Sequence, residues 1–379
     1  MFRYLIKITP LGLMYGSAGA FLSPENLVGR SGHKFPPDAA AVAGLLLNSN
    51  REQGFPIPHS VLRESLYVAG PFWAEISSPF NFYVPVPRHQ IIAEDQQYDE
   101  WKIEKYEWTR SQDETKRALE SGYHWQSINQ WNKPTGTVAR NTKAVGKEPW
   151  KSVAFLHPKM KDDERVSLDE DGLFLENAFQ LDDRYCLIYL STHPMPDGWY
   201  RFGGEGHMVE VEGQNLEITE KHSIYRLLRH PIQQTFALIT PGVWGSNNLS
   251  YRYPKHPDFP KDGIKILTDK PVPHRFRLGA SKSRELSNQP KQPPGRLGRG
   301  RYAVPAGTVY VLKRALNEQH STWWRFPDDW FPREGKGIAG EESKEGGLRL
   351  KHFGCGLCLP VTIQGVNECT TEPTALSKP

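Results

Sequence analysis

Phe2-Arg-Tyr-Leu-Ile-Lys-Ile8 alternates side chains in the way a strand does, and the next sixty residues decide what that strand belongs to. A glycine-rich loop follows from Gly12 to Gly32, and Phe35-Pro36-Pro37-Asp38 then opens a helix. Proline suits the first helical positions because its missing N–H is a donor that a helix start leaves unused, and Asp38 is favourable beside the positive helix end. Ala41, Val42, Leu45 and Leu46 mark one apolar face, while Gly44 in mid-helix allows close packing against a sheet.

Working outward, Val61–Ala69 and Phe80–Val86 read as strands beside proline turns, and Tyr185-Cys-Leu-Ile-Tyr-Leu-Ser191 reads as a buried strand. Trp199–Glu212 contains the turn Gly203-Gly204-Glu205-Gly206. Lys221–His230 predicts a short helix that ends before Pro231. Thr235–Thr240 and Tyr302–Lys313 predict further strands, the latter entered through Pro305-Ala306-Gly307, and Leu348–Ile363 predicts two short extended pieces around a glycine turn. Strands separated by single helices predict an α+β fold, and two β-α-β-β-α-β units suit the length of 379 residues. The predicted division is an N-terminal unit over 1–212 and a C-terminal unit over 213–379. Glu94–Arg165 is rich in charge and aromatics with little apolar periodicity. It reads either as an inserted arm with Tyr123, Trp125, Trp131 and Trp150 as contact residues, or as a peripheral subdomain with its own small core.

Charge is unevenly spread. The chain carries a net +4 overall, yet Pro271–Arg301 alone holds Arg275, Arg277, Lys282, Arg284, Lys291, Arg296, Arg299 and Arg301 against the single acid Glu285. Such a footprint suits a polyanion; a solvated basic loop is the plainer alternative. Four cysteines suit a reducing cytosol and not a disulfide framework. Cys355-x-x-Cys358 with His352 and Cys369 lacks a second C-x-x-C, so buried or incidental thiols are expected and no metal or other cofactor is called for. The apolar run Leu11–Leu22 is broken by Gly12, Gly16 and Gly19, and no stretch reaches membrane-spanning length, which predicts a cytoplasmic protein without membrane partners.

Four patterns occur in order: the early glycine loop with Phe35-Pro36-Pro37-x4-Val42-Ala43-Gly44, the turn Phe202-Gly203-Gly204-Glu205-Gly206, Ala303-Val304-Pro305-Ala306-Gly307-Thr308-Val309-Tyr310, and Phe353-Gly354-Cys355-Gly356. Together they resemble the RAMP superfamily of CRISPR proteins, and within it the third subunit of the Cmr (type III-B) effector complex. The resemblance implies two ferredoxin-like, RRM-related units and a non-catalytic subunit that caps the five-prime handle of the guide RNA. It implies a large polymerase/cyclase-like subunit and a backbone RAMP subunit as protein partners, and target RNA as an indirect one. The family's glycine-rich loop near the C-terminus maps onto Gly354-Cys355-Gly356.

The residues predict the RNA contacts on their own terms. Glycine turns let a phosphate approach backbone N–H groups, which points to Gly354 and Gly356, and Phe353 would stack on a splayed base. Arg349 and Lys351, in an extended piece, would share a face toward phosphates. Arg30 and Lys34 of the first loop, with Arg275, Arg277, Lys282, Arg284, Arg296, Arg299 and Arg301, would complete the groove. Two rivals remain. Tyr15, His33 and Lys34 supply the residue types of a metal-independent ribonuclease. A scaffold contacting only protein would turn its basic stretch toward acidic subunits.

Overall fold

The computed structural model describes residues 1–15, 35–110, 118–158, 173–203, 206–216, 222–245, 249–275, 277–278, 296–334 and 348–366. An eight-stranded antiparallel sheet runs in the order Val145–Gly146, Trp125–Ser127, Tyr83–Pro85, Val68–Glu75, Tyr185–Ser191, Tyr4–Pro10, His207–Asn215, Gly198–Phe202. The opening strand is covered on both faces. Ile6 and Ile8 pack under Val42 and Leu46 of the helix Ala39–Glu52. Leu5 faces the other way, into a cluster shared with the second sheet. Lys7 survives in this setting because its ammonium meets Glu212 at 2.6 Å, on the neighbouring strand.

Four central strands of this sheet, taken in chain order (Tyr4–Pro10, Val68–Glu75, Tyr185–Ser191, His207–Asn215), lie side by side as second, third, first, fourth, all antiparallel. The helix Ala39–Glu52 bridges the first and second, which makes a split β-α-β unit. Between the third and fourth, the described residues carry the edge strand Gly198–Phe202 where a second helix was expected. A second, four-stranded sheet repeats the lateral order with Thr235–Leu238, Lys265–Leu267, Val309–Val311 and Cys358–Pro360. Its third-to-fourth connection contains 3₁₀ turns at Glu318–His320, Trp323–Arg325 and Asp328–Trp330. Trp323, Phe326 and Trp330, all buried, supply the apolar cover that a helix face would otherwise provide. The fold is α+β, and among the described residues only Ala39–Glu52 is a long helix standing where a crossover helix was expected.

Three local expectations are corrected. Val61 lies in the helix His59–Ser65, which starts after Pro58, and the strand begins only at Val68. Tyr302–Lys313 is not one strand: Arg301–Ala303 pairs with Val272–His274, and Val309–Val311 belongs to the second sheet. Residues 94–165 are no isolated arm, since Trp125–Ser127 and Val145–Gly146 extend the first sheet. Trp131 is buried and donates its indole N–H to the Pro360 carbonyl at 2.8 Å. A small satellite core around Ile92, Val138, Ala139 and Val145 does form within this region, with Tyr123 against it.

The sheets share one core in which Leu5, Phe72 and Ile188 meet Phe236, Tyr310, Trp323 and Leu359. The Phe2 ring stacks on Trp323 at 5.6 Å. A close approach falls at the turn after Leu350–Phe353. Gly354 and Gly356 have φ of 67° and 66°, in the left-handed region. A Cβ on Gly354 would stand 2.5 Å from Ala69 Cα and 2.8 Å from the Val68 carbonyl oxygen, and one on Gly356 would enter the Trp244 ring.

Gly354→Ala therefore combines backbone strain with overpacking and is expected to cost about 2–5 kcal/mol. Gly203→Ala, whose φ is 76° with nothing within 4 Å, carries only the strain of about 1–2 kcal/mol. Urea denaturation of both variants checks this; equal losses would mean that the contact with Ala69 is not tight. A second expectation concerns His89, whose burial pushes its pKa down to about 4. The unfolded imidazole takes its proton near pH 6.5, so this stabilisation is complete above that pH and is lost as the pH falls toward 4. The loss amounts to about 3 kcal/mol. His89→Gln should reduce the slope of unfolding free energy against pH across that window; an unaltered slope would assign it to other groups.

Candidate nucleic-acid interface

The described residues of the basic stretch pair as a two-stranded hairpin between the second and third strands of the second sheet. Val272–His274 pairs with Arg301–Ala303, and beyond them Arg277–Leu278 pairs with Arg296–Leu297. Arg277 lies opposite Leu297, and Arg296 opposite Leu278. Arg275 is half-buried and donates from Nε to the Gly298 carbonyl at 2.8 Å. Arg299 is exposed, and its backbone N–H is accepted by Glu334 Oε1 at 2.8 Å. Antiparallel pairing thus gathers Arg275, Arg277, Arg296 and Arg299 within one narrow ribbon. Arg30, His33, Lys34, Lys282 and Arg284 lie outside the described residues.

Arg301 belongs to a different category than its neighbours in sequence. It is 7% exposed, its guanidinium pairs with the buried Glu334, and it donates to the Arg333 carbonyl at 2.8 Å. Both terminal nitrogens are engaged inside the protein and Nε is buried, so the side chain is turned away from solvent and the expectation of an RNA contact is corrected. Arg349 is half-buried; it bridges to Arg333 in backbone pairing and donates to the Asp328 carbonyl at 2.6 Å.

The Leu348–Ile363 stretch departs furthest from expectation. Leu350–Phe353 is a 3₁₀ turn, so Arg349 and Lys351 do not share an extended face. Lys351 is 4% exposed, and its ammonium donates to the Trp324 carbonyl at 3.1 Å and the Phe326 carbonyl at 2.6 Å, with Asp328 at 3.6 Å. Burial lowers its pKa, and with two of its three donors on carbonyls and Asp328 beside it the buried ammonium is not presented to a phosphate. The turn's backbone N–H groups are likewise engaged: Gly354 with the Lys351 carbonyl, Cys355 with Leu350, Gly356 with Pro241, and Leu357 with Thr240 Oγ1. Gly354 and Gly356 serve close packing and do not cradle phosphate. Phe353 is half-buried and packs against Val243, Ala303 and Leu350.

This packing seats the hairpin on the turn. Val272 and Ala303 at the hairpin base join Leu350, Phe353 and Cys355 in one small cluster, with Cys355 Sγ 3.7 Å from His274 Nε2. Cys355 and Cys358 are buried free thiols; Cys369 lies outside the described residues. No group of three metal-ligating side chains occurs among the described residues. In the first loop, Tyr15 stacks on His207 at 5.3 Å and its N–H meets His207 Nε2 at 3.1 Å. Nothing in the sequence marks that pair, because the partners stand 192 residues apart. No helix of the described residues is long and apolar enough to cross a membrane.

No protein-family model matches the chain, and no curated protein matches it. Solved structures to which it is similar include a chain of the type III-B Cmr-beta complex bound to cognate target RNA, at a TM-score of 0.43 and 10% identity over 82% of this chain and 86% of that one. A chain of the Csm1-Csm4 cassette in complex with pppApA gives a TM-score of 0.38 and 10% identity, covering 96% of this chain and 100% of that one. A chain of the Csm3-Csm4 subcomplex of the type III-A CRISPR-Cas interference complex gives 0.34 and 11%, covering 81% and 92%.

Removing Arg301 would strand Glu334 as a buried, uncompensated charge. Arg301→Ala is expected to cost about 3–5 kcal/mol, whereas Arg299→Ala should stay within about 0.5 kcal/mol of the parent. Chemical denaturation of the two variants side by side measures the contrast, and a mild Arg301→Ala would return that arginine to the set available for RNA.

Proposed function

We propose that this chain is a non-catalytic, RNA-binding subunit of a type III CRISPR effector complex, capping the repeat-derived five-prime handle of the guide. In this reading it joins the large polymerase/cyclase-like subunit to the RAMP backbone, in the cytoplasm, with target RNA as an indirect partner. Two RRM-related units, in outline 1–212 and 213–379, carry it. The four ordered sequence patterns suggest the family. The observation that carries the binding role is the basic hairpin, where Arg277 and Arg296 stand on paired strands and Arg275 and Arg299 in the short links between the two ladders.

Arginines on such a ribbon suit a flexible single strand, whose phosphates can follow the ladder while bases splay outward. Affinity would then come largely from displaced counterions and fall steeply with salt. The variant with Arg275, Arg277, Arg296 and Arg299 all changed to alanine keeps the structural Arg301. Titrating handle RNA against parent and variant between about 50 and 200 mM salt should show weaker binding and a shallower slope, by about 0.7 for each phosphate that the variant no longer neutralises. An identical slope would remove the hairpin from the interface. Defined cleavage of repeat RNA by the purified chain would overturn the non-catalytic role.

A further inference from the structure

At the base of the basic hairpin one aromatic ring stands open to solvent. Tyr302 is 58% exposed, the most exposed tyrosine among the described residues. Its outward pose is set by the strand Arg301–Ala303, in which alternate side chains face opposite sides. Arg301 is pinned inward by Glu334, and Ala303 packs into the cluster with Val243, Leu350 and Cys355. Tyr302, between them, has to point out. Its N–H donates to Ser250 Oγ at 3.3 Å, and across the strand pair it stands opposite the exposed Pro273. Among the described residues no hydrogen bond reaches its hydroxyl and no other ring packs on its face.

Cations flank this ring on two sides. On the hairpin, Arg299 and Arg275 follow in the links beyond Arg301 and His274. On the other side runs Ser250–Tyr251, whose serine holds the Tyr302 N–H, and after it come Arg252 and Lys255, both exposed. Lys255 holds its ammonium 5.0 Å from the centre of the Tyr251 ring. Among the described residues neither Arg252 nor Lys255 has a carboxylate partner. The nearby Asp258 and Asp329 approach His256 instead, at 3.6 and 3.2 Å.

A solvent-facing ring between cations suits a ligand that is anionic along its length and carries planar apolar groups. An acidic peptide meets the cations but brings no planar group at regular intervals for the ring. A nucleic acid brings both, and a duplex keeps its bases stacked inside, so the ring can take only a splayed base of a single strand. We propose that Tyr302 is the stacking platform for one base of a single RNA strand that passes from the hairpin arginines over the ring to Arg252 and Lys255. The proposal rests on the RNA-binding reading and adds to it a base contact and two phosphate contacts outside the hairpin. Every base has a π-face, so the ring contributes affinity without choosing a sequence.

The test uses the full chain and uridine decamers in which 5-iodouridine replaces each position in turn. Irradiation joins iodouracil to an aromatic ring stacked on it, and mass spectrometry should find Tyr302 as the joined residue. Tyr302→Ala should weaken binding of the unmodified decamer about tenfold and Tyr302→Phe hardly at all. Both should keep the parent's salt slope, because no phosphate contact is lost. The double variant Arg252→Ala, Lys255→Ala should instead make the slope shallower, by about 0.7 for each phosphate released. If the hairpin-arginine variant keeps the parent's slope, the hairpin reading falls. If that variant lowers the slope while Tyr302→Ala binds as tightly as the parent, or the crosslink maps to another residue, the stacking proposal falls alone. Equal losses in Tyr302→Ala and Tyr302→Phe would assign the effect to the hydroxyl and overturn stacking, and an unchanged slope in the Arg252, Lys255 variant would overturn the path of the strand. A decamer that does not bind the parent at about 50 mM salt would overturn both readings.

Discussion

The architecture depends on one close approach, where the backbone at Gly354 lies against Val68 and Ala69 with no side chain between them. That contact sets the distance between the sheets, and the bonds around it set their alignment. Thr240 Oγ1 donates to the Gly354 carbonyl at 2.6 Å and accepts from the Leu357 N–H at 2.9 Å. The final strand Cys358–Pro360 is thereby delivered in register to Thr235–Leu238. The Pro241 carbonyl accepts from the Gly356 N–H, so the loop after Thr235–Leu238 and the glycine turn cannot move apart separately.

Much of this was legible where a local rule decided the outcome. Tyr185–Ser191 is a strand buried on both faces because Leu187 and Tyr189 pack under the helix Ala39–Glu52 while Ile188 and Leu190 face the second sheet, and its unbroken apolar run says as much. The helix Ala39–Glu52 forms where its apolar face predicted it, although Asp38 is its N-cap and Pro36 and Pro37 stand before the first helical position. The rule failed where long-range partners overrode it. Lys351 looks like a surface cation in sequence and is instead a buried cap on the Trp324 and Phe326 carbonyls, 27 and 25 residues away. Arg301 is indistinguishable in sequence from Arg299, and only Glu334, 33 residues on, separates their fates. Glycine is ambiguous in the same way: a positive φ is required at Gly354 whether its N–H faces a phosphate or a carbonyl, and here it faces the Lys351 carbonyl.

Charge is sorted on this surface. Composition reports a nearly neutral chain, yet antiparallel pairing gathers the basic residues of the hairpin on one ribbon, and Glu334, the acid that reaches its base, is paired with Arg301.

Topology explains where the elaborations sit. In both sheets the second and third strands are adjacent antiparallel partners, Val68–Glu75 with Tyr185–Ser191 and Lys265–Leu267 with Val309–Val311. A connection between such partners can lengthen outward as further hairpins without crossing the core, and closing a longer loop costs only about 0.6 kcal/mol for each doubling. The first-to-second connection of the first sheet and the third-to-fourth of the second have no such freedom, because they cover a sheet face, with Ala39–Glu52 and the Trp323–Trp330 turns respectively. The strands that carry Trp125 and Trp150 and the basic hairpin therefore enter through equivalent positions of the two sheets. Trp125 and Trp150 come from one second-to-third connection, Arg275 and Arg299 from the other. These elements were added where the strand order tolerates growth, and the packed connections were left to hold the sheets together.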